Sequence, residues 1–162
     1  MSERRLIAPV TPALLPRATR VVERALHETP YLTSALGTLR SAVSAPSAAG
    51  RALATVRDEQ LEGVLVFGFF GGTNGAGRLQ LAVIEEGARR ARAGRTLVDA
   101  AIAVMRAEGA RFVLAELPED PRALPGARAF LESMSFREES RVENFYREGV
   151  ALSFMRRDLD SR

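Results

Sequence analysis

The chain has 162 residues, 46% of them hydrophobic and 27% charged, and its 23 basic and 20 acidic residues give a formal net charge of +3. This balance predicts one globular domain over residues 1–162, and the absence of cysteine and lysine with only one histidine, His27, excludes disulfides, a Cys or Lys nucleophile, a Lys-dependent phosphate loop and a multi-histidine metal site, so no metal is expected. No apolar run approaches the ~20 residues of a membrane helix, no signal-peptide pattern opens the chain, and the charge is too small to argue for nucleic acid, so the expectation is a cytoplasmic protein without membrane or nucleic-acid partners, its Arg-only, Ala-rich usage pointing to a GC-rich bacterial genome.

A short first strand is expected over Arg5–Pro9, followed by a helix capped by Thr11 with Pro12 at its first position. Its apolar face carries Leu14, Leu15, Ala18, Val21, Val22, Ala25 and Leu26; Pro16 delays its start, and it runs to about His27. Thr33–Val43 reads as a second helix and residues 44–50 as a loop. Arg51–Arg57, Leu61–Gly71 and Arg78–Ile84 read as strands, the second the most apolar. Between the last two, Gly71–Gly77 is Gly-rich, but a strand follows it and Asn74-Gly75 is hairpin chemistry, so a turn is expected rather than a phosphate loop. An Arg-rich loop after Glu85 then leads to a helix from about Gly94, with Leu97, Val98, Ala101, Ile102 and Met105 on one stripe. Phe112–Leu117 is the next strand, which makes the connection a parallel, right-handed crossover. A loop over 118–125, a helix over 126–134, and strands over 142–146 and 150–156 around Glu148-Gly149 complete the pattern. The fold class is therefore mixed α/β: an antiparallel meander, one parallel crossover and a final hairpin.

The segment Leu81–Val98 sends a strand through a basic loop into a helix N-terminus. Amides of a first helical turn lack internal acceptors, and with the helix dipole they favour an anion there by about 0.3–1 kcal/mol per charge. Arg89, Arg90, Arg92 and Arg95 crowd this point, and a pyrophosphate would suit it. A solvated basic loop that binds nothing is the competing reading.

The order of elements and this segment resemble the GNAT superfamily of N-acetyltransferases, in which a Leu-Ala-Val-like strand leads into Arg/Gln-x-x-Gly-x-Gly/Ala. Arg89-Arg-Ala-Arg-Ala-Gly94 matches at Arg89 and Gly94 and departs at Arg92, where the family has Gly; Arg95-Thr96-Leu97 matches the following helix start. Downstream, Ala129–Phe136 is similar to Ala-x-x-Phe-Tyr-Glu-x-x-Gly-Phe, Asn144–Gly149 resembles Asp-Phe-Tyr-x-x-Gly, and Phe154–Leu159 resembles the last strand of many members. The likeness spans nearly the whole chain.

The resemblance implies a GNAT-like fold and direct acetyl transfer from acetyl-CoA, as co-substrate, to an amine of a small-molecule or peptide acceptor. It implies that Arg89, Arg90, Ala91, Arg92, Ala93, Gly94, Arg95 and Thr96 hold the pyrophosphate, with Val83 and Ile84 pairing with the pantetheine arm. The family's Tyr acid falls on Leu131, which has no proton to give, so a non-catalytic acyl-CoA-binding module on the same fold is the alternative. Tyr146 is the first candidate acid, against a packing aromatic. Glu116 is the candidate base, against a solvated strand-end carboxylate. Glu85 and Glu86 are weaker bases, Tyr31 and Asn144 are candidate acceptor contacts, and His27 reads as a helix-end residue. Family members often pair through the sheet or C-terminal strands, which leaves a homodimer open.

Overall fold

The strongest strand signal in the sequence becomes an interior strand of the sheet. The computed structural model describes residues 4–89 and 92–159. Its elements are β1 (Leu6–Pro9), α1 (Leu15–Ala25), α2 (Leu32–Ser44), β2 (Arg51–Arg57), β3 (Gln60–Phe69), β4 (Ala76–Ile84), α3 (Glu86–Arg89), α4 (Ala93–Ala107), β5 (Phe112–Pro118), α5 (Ala127–Ser133), β6 (Arg137–Arg147) and β7 (Val150–Asp158). Seven strands lie in the order β1-β2-β3-β4-β5-β7-β6. Every neighbouring pair is antiparallel except β4 with β5, the crossover through α4. The expected mixed sheet with one parallel crossover and flanking helices is thus the observed architecture.

Side chains alternate across a strand, so β3 serves two cores. Val64 and Val66 face α1 and α2, packing with Val22, Leu39 and Val43. Leu65 and Phe67 face α4, packing with Leu97, Ile102, Met105 and Met155. Burial of each such large apolar side chain is worth roughly 1.5–3 kcal/mol. The apolar stripe read for α4 is wholly buried: Leu97, Val98, Ala101, Ile102 and Met105 are each at most 2% exposed.

Three elements differ from the sequence reading. Helix α1 begins at Leu15, because Pro16 has no N–H and is tolerated only in a first turn; the preceding turn closes on the Thr11 carbonyl. His27 lies past the helix end and is exposed. A short helical turn, α3, precedes α4 where only a loop was expected. Strand β6 begins at Arg137 rather than Val142 and is exposed along its whole length. Its polar run carries no alternation because it is an edge strand, with β7 as its only neighbour in the sheet among the described residues.

Two irregularities shape the functional end. Val66 pairs with Leu81 and Phe67 with Leu79, so Gln80 bulges out of β4, its amide donating to the Ala49 carbonyl at 2.6 Å. Pairing of β4 with β5 runs from Ala76↔Phe112 to Leu79↔Ala115 and stops, while β4 continues to Ile84 and β5 to Pro118. The strands part there, leaving one backbone edge of β4 without a strand partner.

Candidate functional site

Two cavities meet where β4 and β5 part. The larger, about 880 Å³, runs from Val83 and Ile84 to the start of α4 and is flanked by the 122–127 loop and Phe130. The second, about 500 Å³, lies between the α1–α2 junction, the ends of β4 and β5, and the tip of β6. Leu26, Ala82, Val83, Val98, Leu124 and Phe130 line both. The two cavities are therefore continuous at Val83.

The larger cavity gathers much of the expected anion site. Val83, Ile84, Arg89, Arg92, Gly94 and Arg95 line it, joined by Arg24 and Arg122. Arg90 and Ala91 lie outside the described residues. Ala93 is fully buried beneath the helix start, and Thr96 returns its hydroxyl to the Arg92 carbonyl at 3.0 Å; neither lines the cavity. Arg92 stands at the N-cap of α4 with φ +63°, the left-handed region where the family pattern has Gly. The Arg92 side chain makes no cap hydrogen bond to the first-turn amides of the helix. Gly94 has a packing reason: a Cβ there would sit 3.2 Å from the Phe130 ring. Arg89 folds back, donating from Nε to the Ile84 carbonyl at 3.2 Å.

The smaller chamber brings together Tyr31, Glu116 and Tyr146. The Tyr146 ring meets Tyr31 edge-on at 5.5 Å between centroids and Phe145 at 5.0 Å. Adjacent residues of a regular strand point to opposite faces, yet Phe145 and Tyr146 both reach the chamber. The cause is a wide bulge: β6 pairs at Val142↔Leu152 and next at Arg147↔Val150. Asn144 makes this bulge by adopting φ +54°, its side-chain oxygen accepting the Gly149 N–H at 2.8 Å. Asn144 lines neither cavity; its position aims its two neighbours.

Burial pushes the Tyr146 hydroxyl up to about 12, reinforced by the nearby Glu116 and Tyr31, so it stays protonated across ordinary pH. Glu116 Oε1 accepts from Arg78 Nη2 at 2.7 Å. Glu85 and Glu86 line the larger cavity instead, and Glu85 is paired with Arg24 at 3.1 Å.

Sequence reasoning missed the clamp behind Tyr31. Asp120, 6% exposed, accepts from the Tyr31 hydroxyl at 2.8 Å and from Arg147 Nη2 at 2.7 Å. The Arg147 guanidinium holds its carboxyl below the usual range, with Tyr31 and the Ala123 amide adding to that effect. This joins the α1–α2 junction, the loop after β5 and the end of β6. The available signal was Asp120-Pro121, a dipeptide that starts turns. Among the described residues, no group of three or more His, Cys, Asp or Glu could hold a metal, and no helix is long and apolar enough to cross a membrane.

Solved structures share this fold. A protein assigned to the GNAT family from Desulfovibrio desulfuricans is 23% identical, with a TM-score of 0.85 over 96% of this chain and 99% of its own. The ribosomal-protein-alanine N-acetyltransferase of Brucella melitensis is 21% identical, with a TM-score of 0.73 over 95% and 99%. An aminoglycoside 6'-N-acetyltransferase complexed with coenzyme A is 12% identical, with a TM-score of 0.78 over 97% and 98%. No family model and no curated protein sequence matches the chain. At these identities the likeness shows the fold: this chain has the fold of the GNAT N-acetyltransferases.

Proposed function

We propose that the protein is an acetyl-CoA-dependent N-acetyltransferase. The observation that carries this reading is the junction at Val83, where a groove ending on the start of α4 meets a chamber lined by a protonated tyrosine and a carboxylate. The groove has the chemistry for coenzyme A: first-turn amides and the Arg92 and Arg95 guanidiniums for the pyrophosphate, and the free edge of β4 for the amide groups of the pantetheine arm. The thioester would then reach the junction.

In the chamber a neutral amine attacks the thioester carbonyl. The C–N bond forms, the C–S bond breaks, and backbone N–H groups at the β4 edge stabilise the oxyanion. Glu116, whose Oε1 is held by Arg78, accepts the amine proton directly or through water. Tyr146 donates its proton to the leaving thiolate.

Leu131 favours a second reading. It lines the chamber where the resembled family carries a tyrosine acid, which suits a module that binds acyl-CoA without turning it over. Calorimetric titration with acetyl-CoA, followed by thiol-release assays on a panel of amines, separates the two. The enzyme binds at micromolar concentration and releases thiol with at least one amine. The module binds and releases none. Absence of binding by folded protein rejects both.

A further inference from the structure

Resting on the acetyltransferase reading, we propose that the acceptor is a small zwitterion, an amino acid with an apolar or aromatic side chain, rather than a polycationic amine. Among the described residues lining the acceptor chamber, only Glu116 and Arg147 are charged. Each is held from outside the lining by a partner of opposite sign: Arg78 on Glu116 at 2.7 Å, and Asp120 on Arg147 at 2.7 Å. Arg147 also approaches the Tyr31 hydroxyl at 3.5 Å, which leaves further N–H donors of its fork for a ligand. The walls are otherwise largely apolar, formed by residues such as Leu81, Leu117, Leu131 and Phe145. One fixed carboxylate, one fixed guanidinium and an aromatic wall complement one amine, one carboxylate and one apolar body. A polyamine or aminoglycoside would bring further ammonium groups for which the described lining offers no second carboxylate.

The test compares acetylation of L-phenylalanine and L-leucine with phenethylamine, spermidine and kanamycin, with acetyl-CoA affinity measured on the same protein. The proposal expects kcat/KM for L-phenylalanine to exceed that for phenethylamine by about 10-fold or more, the scale of one charge-assisted contact. In Arg147→Gln that ratio falls by roughly 10–100-fold, mainly through KM for the amino acid, and Arg147→Lys keeps part of it. Preference for phenethylamine, spermidine or kanamycin overturns the zwitterion assignment and leaves the acetyltransferase reading standing. An equal fall for L-phenylalanine and phenethylamine in both Arg147 variants also overturns it, because Arg147 would then only hold the chamber together. Acetyl-CoA binding with no amine acetylated overturns the assignment together with the enzymatic reading. No acetyl-CoA binding overturns the coenzyme site from which both start.

Discussion

Tyr146 is where chemistry and packing can be separated by one atom. Its ring is held edge-on between Tyr31 and Phe145, so Tyr146→Phe keeps the packing and removes only the O–H. The expected outcome is a fall in kcat of about 10–100-fold with acetyl-CoA affinity unchanged. Because burial pushes the hydroxyl up to about 12, wild-type activity should show no loss from Tyr146 ionisation below about pH 11. A pH–rate profile and calorimetry check both statements. Asp120 carries a prediction about stability. Its carboxyl is depressed in the folded protein, chiefly by Arg147, so its contribution is present above the unfolded value of about 3.9 and is lost as pH falls through the lower folded value. Asp120→Asn should therefore unfold at a lower temperature than wild type at pH 6–7, with the gap closing toward pH 3. The cost of Asp120→Ala at neutral pH is about 1–2 kcal/mol, kept low because Arg147 is half-exposed and screened.

The start of α4 shows what an element demands of its sequence. Arg92 holds a left-handed φ of +63°, which costs an L-residue about 1–2 kcal/mol, whereas glycine adopts it freely but loses about 0.5–1 kcal/mol in chain entropy. Arg92→Gly should thus stabilise the fold by about 0.5–1 kcal/mol, read by thermal unfolding. The same change removes a guanidinium from the groove, so acetyl-CoA affinity should fall by about 2–10-fold, read by calorimetry. A variant neither more stable nor weaker in binding would show that Arg92 is a solvated cap. The strands and α4 were legible because period-two and helical patterns are local: the run at Leu61, the Asn74-Gly75 turn and the stripe from Leu97 to Met105 each state their own structure. Edge strand β6 was legible only in part, since Arg137–Arg141 buries nothing and so leaves no pattern. The smaller chamber was legible as single residues, not as an assembly. Tyr31, Glu116 and Tyr146 were picked out, but Asp120 and Arg147 lie 89 and 116 positions from the tyrosine they hold, and no local signal joins them. The bulge at Asn144 escaped because it arises from a register shift between two strands.

At the scale of the whole molecule, a net charge of +3 hides an uneven field. Among the described residues, five arginines, Arg24, Arg89, Arg92, Arg95 and Arg122, line the larger cavity against Glu85 and Glu86. An adjoining cleft between α1 and α3 adds Arg17 and Arg20, so the basic surface continues past the groove. Such clustering raises the local concentration of an anionic ligand and is screened by salt, because the Debye length falls from about 30 Å at 0.01 M to about 3 Å at 1 M. The pantetheine arm carries no charge, and the contacts proposed for it with the β4 edge would be hydrogen bonds and apolar packing, which salt leaves nearly untouched. Acetyl-CoA should therefore bind about 10-fold more weakly at 0.5 M than at 0.02 M NaCl, while S-acetylpantetheine, lacking the phosphates, should bind weakly and equally at both. Titrations of the two ligands at the two salt concentrations decide the matter. An acetyl-CoA affinity that ignores salt would place the binding energy in the arm alone and leave the arginines as solvated surface; a parallel fall for both ligands would place the salt effect on the fold rather than on the phosphates.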